Sequence, residues 1–147
     1  MVTSSSPEAA RELTVVSAGG DCHRITVRGH QFLVDQPRCD GGGDAGPTPV
    51  ELFIASLASC VAHYARRGLG SSGAGPEVRC RWTMSETPPW RVATIDVDVN
   101  LPEGTSPGRV LAVERAIAHC TVHNTLLDRP EVRINADVAA MAGGVRR

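Results

Sequence analysis

Aromatic side chains make up only 3% of the 147 residues, so the chain lacks the stacking platforms on which single-strand nucleic-acid binders lay bases. It also lacks any block of like charge. Fifteen basic residues stand against 16 acidic ones, for a formal net charge of −1, which argues against binding a phosphate backbone. No apolar run approaches the roughly 20 residues of a membrane span. The opening MVTSSSPEAAREL has no basic-then-apolar order of a secretion signal, and no internal repeat is visible. These absences predict a protein that engages neither nucleic acid nor membrane and works in the cytoplasm, where thiols stay reduced unless they are working ones. The length suits one domain that buries a core without disulfide or metal staples. Five cysteines are present, Cys22, Cys39, Cys60, Cys80 and Cys120. An odd number is not a fully paired secreted framework.

Residues 1–10 are small and polar and read as a disordered leader, leaving residues 11–147 as a single domain. Leu13 and Val15, then Ile25 and Val27, alternate with polar neighbours around the turn Ser17-Ala18-Gly19-Gly20-Asp21, the pattern of a hairpin. A second turn at Arg28-Gly29-His30 leads to Phe32, Leu33 and Val34, extending the hairpin to a three-strand meander. The glycine-rich run PRCDGGGDAGPTP is a loop that delivers a helix. Thr48 is placed as N-cap, Pro49 as first helical residue and Glu51 three past the cap, which together form a capping box. The helix that follows, ELFIASLASCVAHYARR, is apolar on nearly every side and is predicted to be buried all round.

After a break at Gly68 to Gly75, two alternating runs, one with Val78, Cys80, Trp82 and Met84 and one with Ile95, Val97 and Val99, predict an antiparallel pair buried on one face. Ser106-Pro107 opens a second helix, GRVLAVERAIAHC, ending at Cys120. A break at Asn124 to Asp128 precedes a last strand, EVRINADV. The order βββ-α-ββ-α-β predicts an α+β fold with antiparallel sheets packed around two buried helices.

Two residues are candidates for chemistry. Cys60 lies within the central helix and Cys120 at the end of the second. Taken singly, a helical thiol is a small core hydrophobe. Taken together in a reducing compartment, two such thiols have what peroxide chemistry requires, a low-pKa thiol beside a resolving one.

The stretch GGGDAGPTPVELFIASLASC resembles the signature of the OsmC/Ohr family, a glycine-rich loop running into a helix of the form Glu-Leu followed by a cysteine. HCTVHNTL, about sixty residues on, resembles the family's second motif, Cys-Pro-Val and a later Leu. The likeness runs from Glu12 to Val138. It implies an intertwined homodimer with the helices at its centre and a thiol peroxidase acting on organic hydroperoxides, with no cofactor. By this resemblance Cys60 is the peroxidatic residue, Cys120 resolves it through a disulfide, and a dithiol such as a lipoylated protein restores both. Glu51 matches the glutamate that holds an activating arginine in the family, although the capping box predicts the same residue. An apolar pocket from Phe53 and Leu57 would suit a fatty or aryl peroxide.

Burial raises a thiol pKa, so a cation is expected beside Cys60. The family's hairpin arginine is replaced by Asp21, leaving Arg24 and Arg28 as substitutes, and Thr121 replaces the usual proline. Nine residues separate Glu51 from Cys60 and make about 13 Å of helix rise, so the two cannot touch within one helix. His63 lies one turn past Cys60, and His119 and His123 bracket Cys120. Protonated His63 is one alternative cation. Zinc held by Cys60, His63, Cys120 and His123 is an alternative without a recognised ligand spacing. A further alternative is a binder or sensor of apolar electrophiles with little turnover. Cys22, Cys39 and Cys80 receive no role, and Trp82, Trp90 and Tyr64 are assigned to core or dimer packing.

Overall fold

The computed structural model describes residues 11–70 and 73–138, so the predicted leader lies outside the described residues. Its first three strands, β1 (Thr14–Gly19), β2 (Cys22–Val27) and β3 (His30–Val34), form an antiparallel meander in the order β1-β2-β3. The two tight turns fall where the sequence placed them. Gly19 and Gly20 have positive φ, as does Arg28 at 57°, conformations that glycine adopts freely and other residues only under constraint.

The loop after β3 is knitted around one carboxylate. Asp35 is buried, and its Oδ1 accepts from the Gln36 N–H at 2.8 Å while its Oδ2 accepts from Gly43 at 3.0 Å and Ala45 at 3.1 Å. The Ala45 amide, opposed by burial and helped by the Gln36 and Gly43 amides and His23, holds this carboxyl below its usual pKa. A short 3-10 turn, Arg38–Asp40, rides on the outside of the loop and carries exposed Cys39.

Helix α1 spans Pro49–Leu69 and opens on the predicted capping box. The Thr48 N–H donates to Glu51 Oε2 at 2.7 Å and the Glu51 N–H donates to Thr48 Oγ1 at 3.1 Å, which satisfies two amides that a helix start leaves without partners. Helix α2 (Pro107–Ile117) lies along α1. Gly68 sets that approach, since a Cβ there would stand 2.5 Å from Val113 Cα. Strands β4 (Glu77–Met84) and β5 (Val92–Asn100) pair as a second antiparallel sheet and also pack on α1. Their outer face carries Arg79 opposite Asp98 and Arg81 opposite Asp96, and Arg81 reaches diagonally to Asp98 at 2.7 Å. Their inner face supplies Val78, Ile95, Val97 and Val99 to the core around Leu57, Val61 and Cys120.

Three expectations are corrected. Helix α1 is not buried all round in this chain. It buries one stripe, Ile54, Leu57, Val61 and Ala65, while Phe53 and His63 lie exposed on its remaining surface, because one chain supplies neighbours on one side only. The second helix stops at Ile117, and a third, α3 (Thr121–Leu127), begins where a break was expected. Cys120 is therefore the N-cap of α3, not the end of α2. The last strand does not form. Residues 131–138 alternate as predicted, but Ile134 is 90% exposed and no neighbouring strand supplies the ladder; strand propensity without a partner leaves backbone groups to water.

Among the described residues the architecture is thus α+β, with two antiparallel sheets and three helices. The meander makes, among the described residues, no substantial packing contact with the helices or with the second sheet. Among the described residues no helix is long and apolar enough to cross a membrane.

Candidate thiol site

The site is made where the middle of α1 meets the junction of α2 and α3. Leu57 and Val61, one turn apart on α1's buried stripe, press against Cys120, and Cys60 beside them packs on the same cluster with Tyr64, Ile117 and Val122. The α2–α3 junction turns sharply at Cys120, whose own N–H donates to the Ile117 carbonyl at 2.8 Å while its carbonyl accepts from the Asn124 N–H at 2.9 Å to start α3. That geometry brings two free thiols together from helices sixty residues apart.

The two thiols have opposite tendencies. Burial pushes the Cys60 thiol up, but the backbone N–H of Val122, the Cys120 thiol and the backbone N–H of Thr121 all favour its thiolate, and the balance lies below the ordinary thiol value. Thr121 and Val122 are the first two residues of α3, so their amides have no partner within the helix and are free to face an anion. Cys120 is 0% exposed. Burial pushes it up, the amides of His123 and Val122 pull the other way, and the hydrogen bond to Cys60 and the charge there raise it further. No side-chain cap bond forms at Cys120, and its thiol is the donor of the pair, since the bond between them favours the Cys60 thiolate and raises Cys120.

The other predicted residues are placed elsewhere. Glu51 is committed to the capping box at the start of α1, away from the thiols. Leu57 belongs to the core, and Phe53, one turn before it, is exposed. Arg24 and Arg28 are exposed on the meander, and neither figures among the groups acting on Cys60. Within one chain, the groups that favour the Cys60 thiolate are amide dipoles and a neighbouring thiol. His63 is exposed and meets Tyr64 edge to face at 5.3 Å. Among the described residues no group of three or more His, Cys, Asp or Glu is placed to hold a metal, which speaks against the zinc alternative. Cys80 faces the core side of β4, where burial and Asp98 raise its pKa. Cys22 opens β2.

Sequence reasoning missed the Thr121 and Val122 amides, because it read TVHNTLL as a break. The signal was available in Thr125, whose hydroxyl bonds back to the Thr121 carbonyl at 2.8 Å as helical Thr does. Tyr64 packs against the core cluster as expected, and its hydroxyl lies 3.5 Å from Thr121 Oγ1.

Residues 41–135, more than half of the chain, match a family model described as OsmC-like protein. Among solved structures, the chain is similar to one from Psychrobacter arcticus 273-4 described as an osmotic stress induced and detoxification response protein (17% identity, 80% of this chain and 89% of that one, TM-score 0.69). It is also similar to an OsmC-like protein from Mycoplasma pneumoniae (15% identity, 84% and 91%, TM-score 0.68). A third is an OsmC-like hydroperoxide resistance protein from Jannaschia sp. CCS1 (19% identity, 85% and 90%, TM-score 0.50). At these identities the likeness concerns the fold. No curated protein matches the chain.

Proposed function

The chain belongs to the OsmC-like protein family, and from that premise we propose that it is a cysteine-based peroxidase for organic hydroperoxides. The Cys60 thiolate attacks one peroxide oxygen, the O–O bond breaks, and the departing alkoxide takes a proton to leave as an alcohol. Cys60 is left as a sulfenic acid. The Cys120 sulfur then attacks the Cys60 sulfur, losing its proton as the S–O bond breaks and water leaves, and the two join as a disulfide. An external dithiol, of which a lipoylated protein is one kind, reduces the bridge by exchange. Glu51 enters this reading as the anchor for an arginine brought by another segment or a second chain.

The observation that carries the proposal is the meeting of the two thiols with opposed ionisation. The half-buried Cys60 is the one that favours its thiolate, and the wholly buried Cys120 is the one that keeps its proton. Support for a homodimer comes from apolar surface that one chain leaves open: the exposed side of α1 with Phe53, the meander with Val15 and Val16, and the segment carrying Val132 and Ile134. A cytoplasmic setting accords with five free cysteines.

One observation favours a second reading, a slow-turnover binder or sensor of apolar electrophiles. No charged side chain acts on Cys60 among the described residues, so its lowered pKa rests on amide dipoles and the Cys120 thiol. Stopped-flow oxidation of the reduced protein by cumene hydroperoxide and by hydrogen peroxide separates the readings. The peroxidase reading expects rapid oxidation by the organic peroxide, slower oxidation by hydrogen peroxide, and a Cys60–Cys120 bridge by peptide mass. Slow oxidation by both, without a bridge, would leave the binder reading.

A further inference from the structure

We propose that Cys60 and Cys120 also form a chelating site for trivalent organoarsenicals, a class of soft electrophile that needs no peroxide chemistry to be held. The argument starts from ligand number. Soft thiol donors select soft acceptors, and structural zinc requires four ligands. Here two thiols converge and no third His, Cys, Asp or Glu joins them among the described residues. An acceptor satisfied by two sulfurs is therefore the one that fits.

Separation narrows the choice further. Linear two-coordinate ions place their sulfurs on opposite sides and force them well apart. Pyramidal arsenic binds two sulfurs on the same side, close to the contact separation that two hydrogen-bonded thiols already have. Cys60 packs against the buried cluster that holds Cys120, with the two thiols bonded to one another, so closing the arsenic bridge asks less movement of the two helices than spanning a linear ion. The third arsenic substituent is an organic group. Leu57, Val61, Val122 and Ile117 around the pair favour an apolar one such as phenyl.

The order of events follows from exposure. Half-buried Cys60 meets the arsenical first, and Cys120, 0% exposed, closes the ring from the core side. The balance needs no oxidant. Two As–S bonds replace the two bonds from arsenic to oxygen, the oxygen leaves as water with one proton from each thiol, and arsenic stays trivalent throughout.

The test uses reduced full-length protein and phenylarsine oxide. The expected product carries one phenylarsenic group per chain with loss of one water, and peptide mapping places it across Cys60 and Cys120. It survives an excess of monothiol and is stripped by a dithiol. A Cys22→Ser, Cys39→Ser, Cys80→Ser variant keeps this behaviour, while Cys60→Ala and Cys120→Ala each give an adduct that monothiol removes. A bridge mapped to any other cysteine, an adduct of the parent chain lost to monothiol, or no adduct overturns the proposal, and the mapping on the unaltered chain decides even where an alanine variant fails to fold. Because no peroxide is used, a chain that holds arsenic but ignores hydroperoxide sinks the peroxidase reading alone, and the reverse result sinks this one alone.

Discussion

The middle of α1 and the α2–α3 junction each present a cysteine to the same dry cluster, yet they treat it differently. At the helix middle every backbone amide is bonded within the helix, so α1 itself offers the Cys60 sulfur no donor. The junction has amides to spare at Thr121 and Val122, and it directs them to the sulfur of the other segment. Cys120, which sits at that junction, is enclosed by Leu57 and Val61 and keeps its proton. Burial and the amides at the start of α3 act on both thiols, and the direction of the bond between them, donated by Cys120, separates them.

The largest effect expected from breaking this contrast is chemical. Cys60→Ser is expected to abolish consumption of cumene hydroperoxide, and Cys120→Ser to consume one equivalent and stall, both read by peroxide loss and sulfenate trapping. Undiminished turnover in both variants would remove the assignment. Next in size is the dry side of the comparison. Leu57 is 4% exposed against Cys120, and Leu57→Ala is expected to cost about 2–5 kcal/mol, measured by urea denaturation of the reduced protein.

A sharper and smaller probe addresses the donors. Thr121→Pro deletes one N–H from the Cys60 surroundings at the first helical position, where proline is tolerated. The Cys60 pKa is expected to rise, and its alkylation rate at neutral pH to fall a few-fold, the worth of about 1 kcal/mol for one hydrogen bond. Thr121→Ala, which keeps the amide, is expected to behave like the parent.

The smallest expected effect lies outside the site, in the loop that delivers α1. The Asp35 carboxyl is held below its usual pKa by the Ala45, Gln36 and Gly43 amides. Its contribution to stability is present in full above the ordinary carboxylate range and is lost as pH falls through the depressed value. Thermal unfolding followed from neutral to acid pH should show a loss that Asp35→Asn flattens; an identical pH dependence in the variant would remove Asp35 from the account.

Local signals in the sequence were strong where the structure depends on neighbours in sequence. The Gly19-Gly20 turn, the Thr48–Glu51 capping box and the pairing of β4 with β5 formed as their residues indicated, although Trp82 and Met84, on the face of β4 expected to be buried, are exposed. The meeting of Cys60 with Cys120 was legible only through the paired motifs, since no local pattern encodes a contact across sixty residues. What was misread depends on partners. The apolar circumference of α1 and the alternation of EVRINADV state what these segments can bury, and one chain supplies cover for only part of it. The donors at Thr121 and Val122 escaped because backbone amides carry no residue signature. They become available only where a helix starts, and the start of α3 was hidden within a polar stretch.

The central claim is that two thiols packed in one cluster ionise differently, Cys60 with its pKa lowered and Cys120 with its pKa raised. The most direct measurement is alkylation of the reduced native protein by iodoacetamide across a pH series, with peptide mass analysis to read each cysteine separately. The account predicts that Cys60 reacts with a midpoint below that of an ordinary thiol while Cys120 lags and reacts only at higher pH. Reaction of Cys120 first, or of both with the same ordinary midpoint, would contradict it.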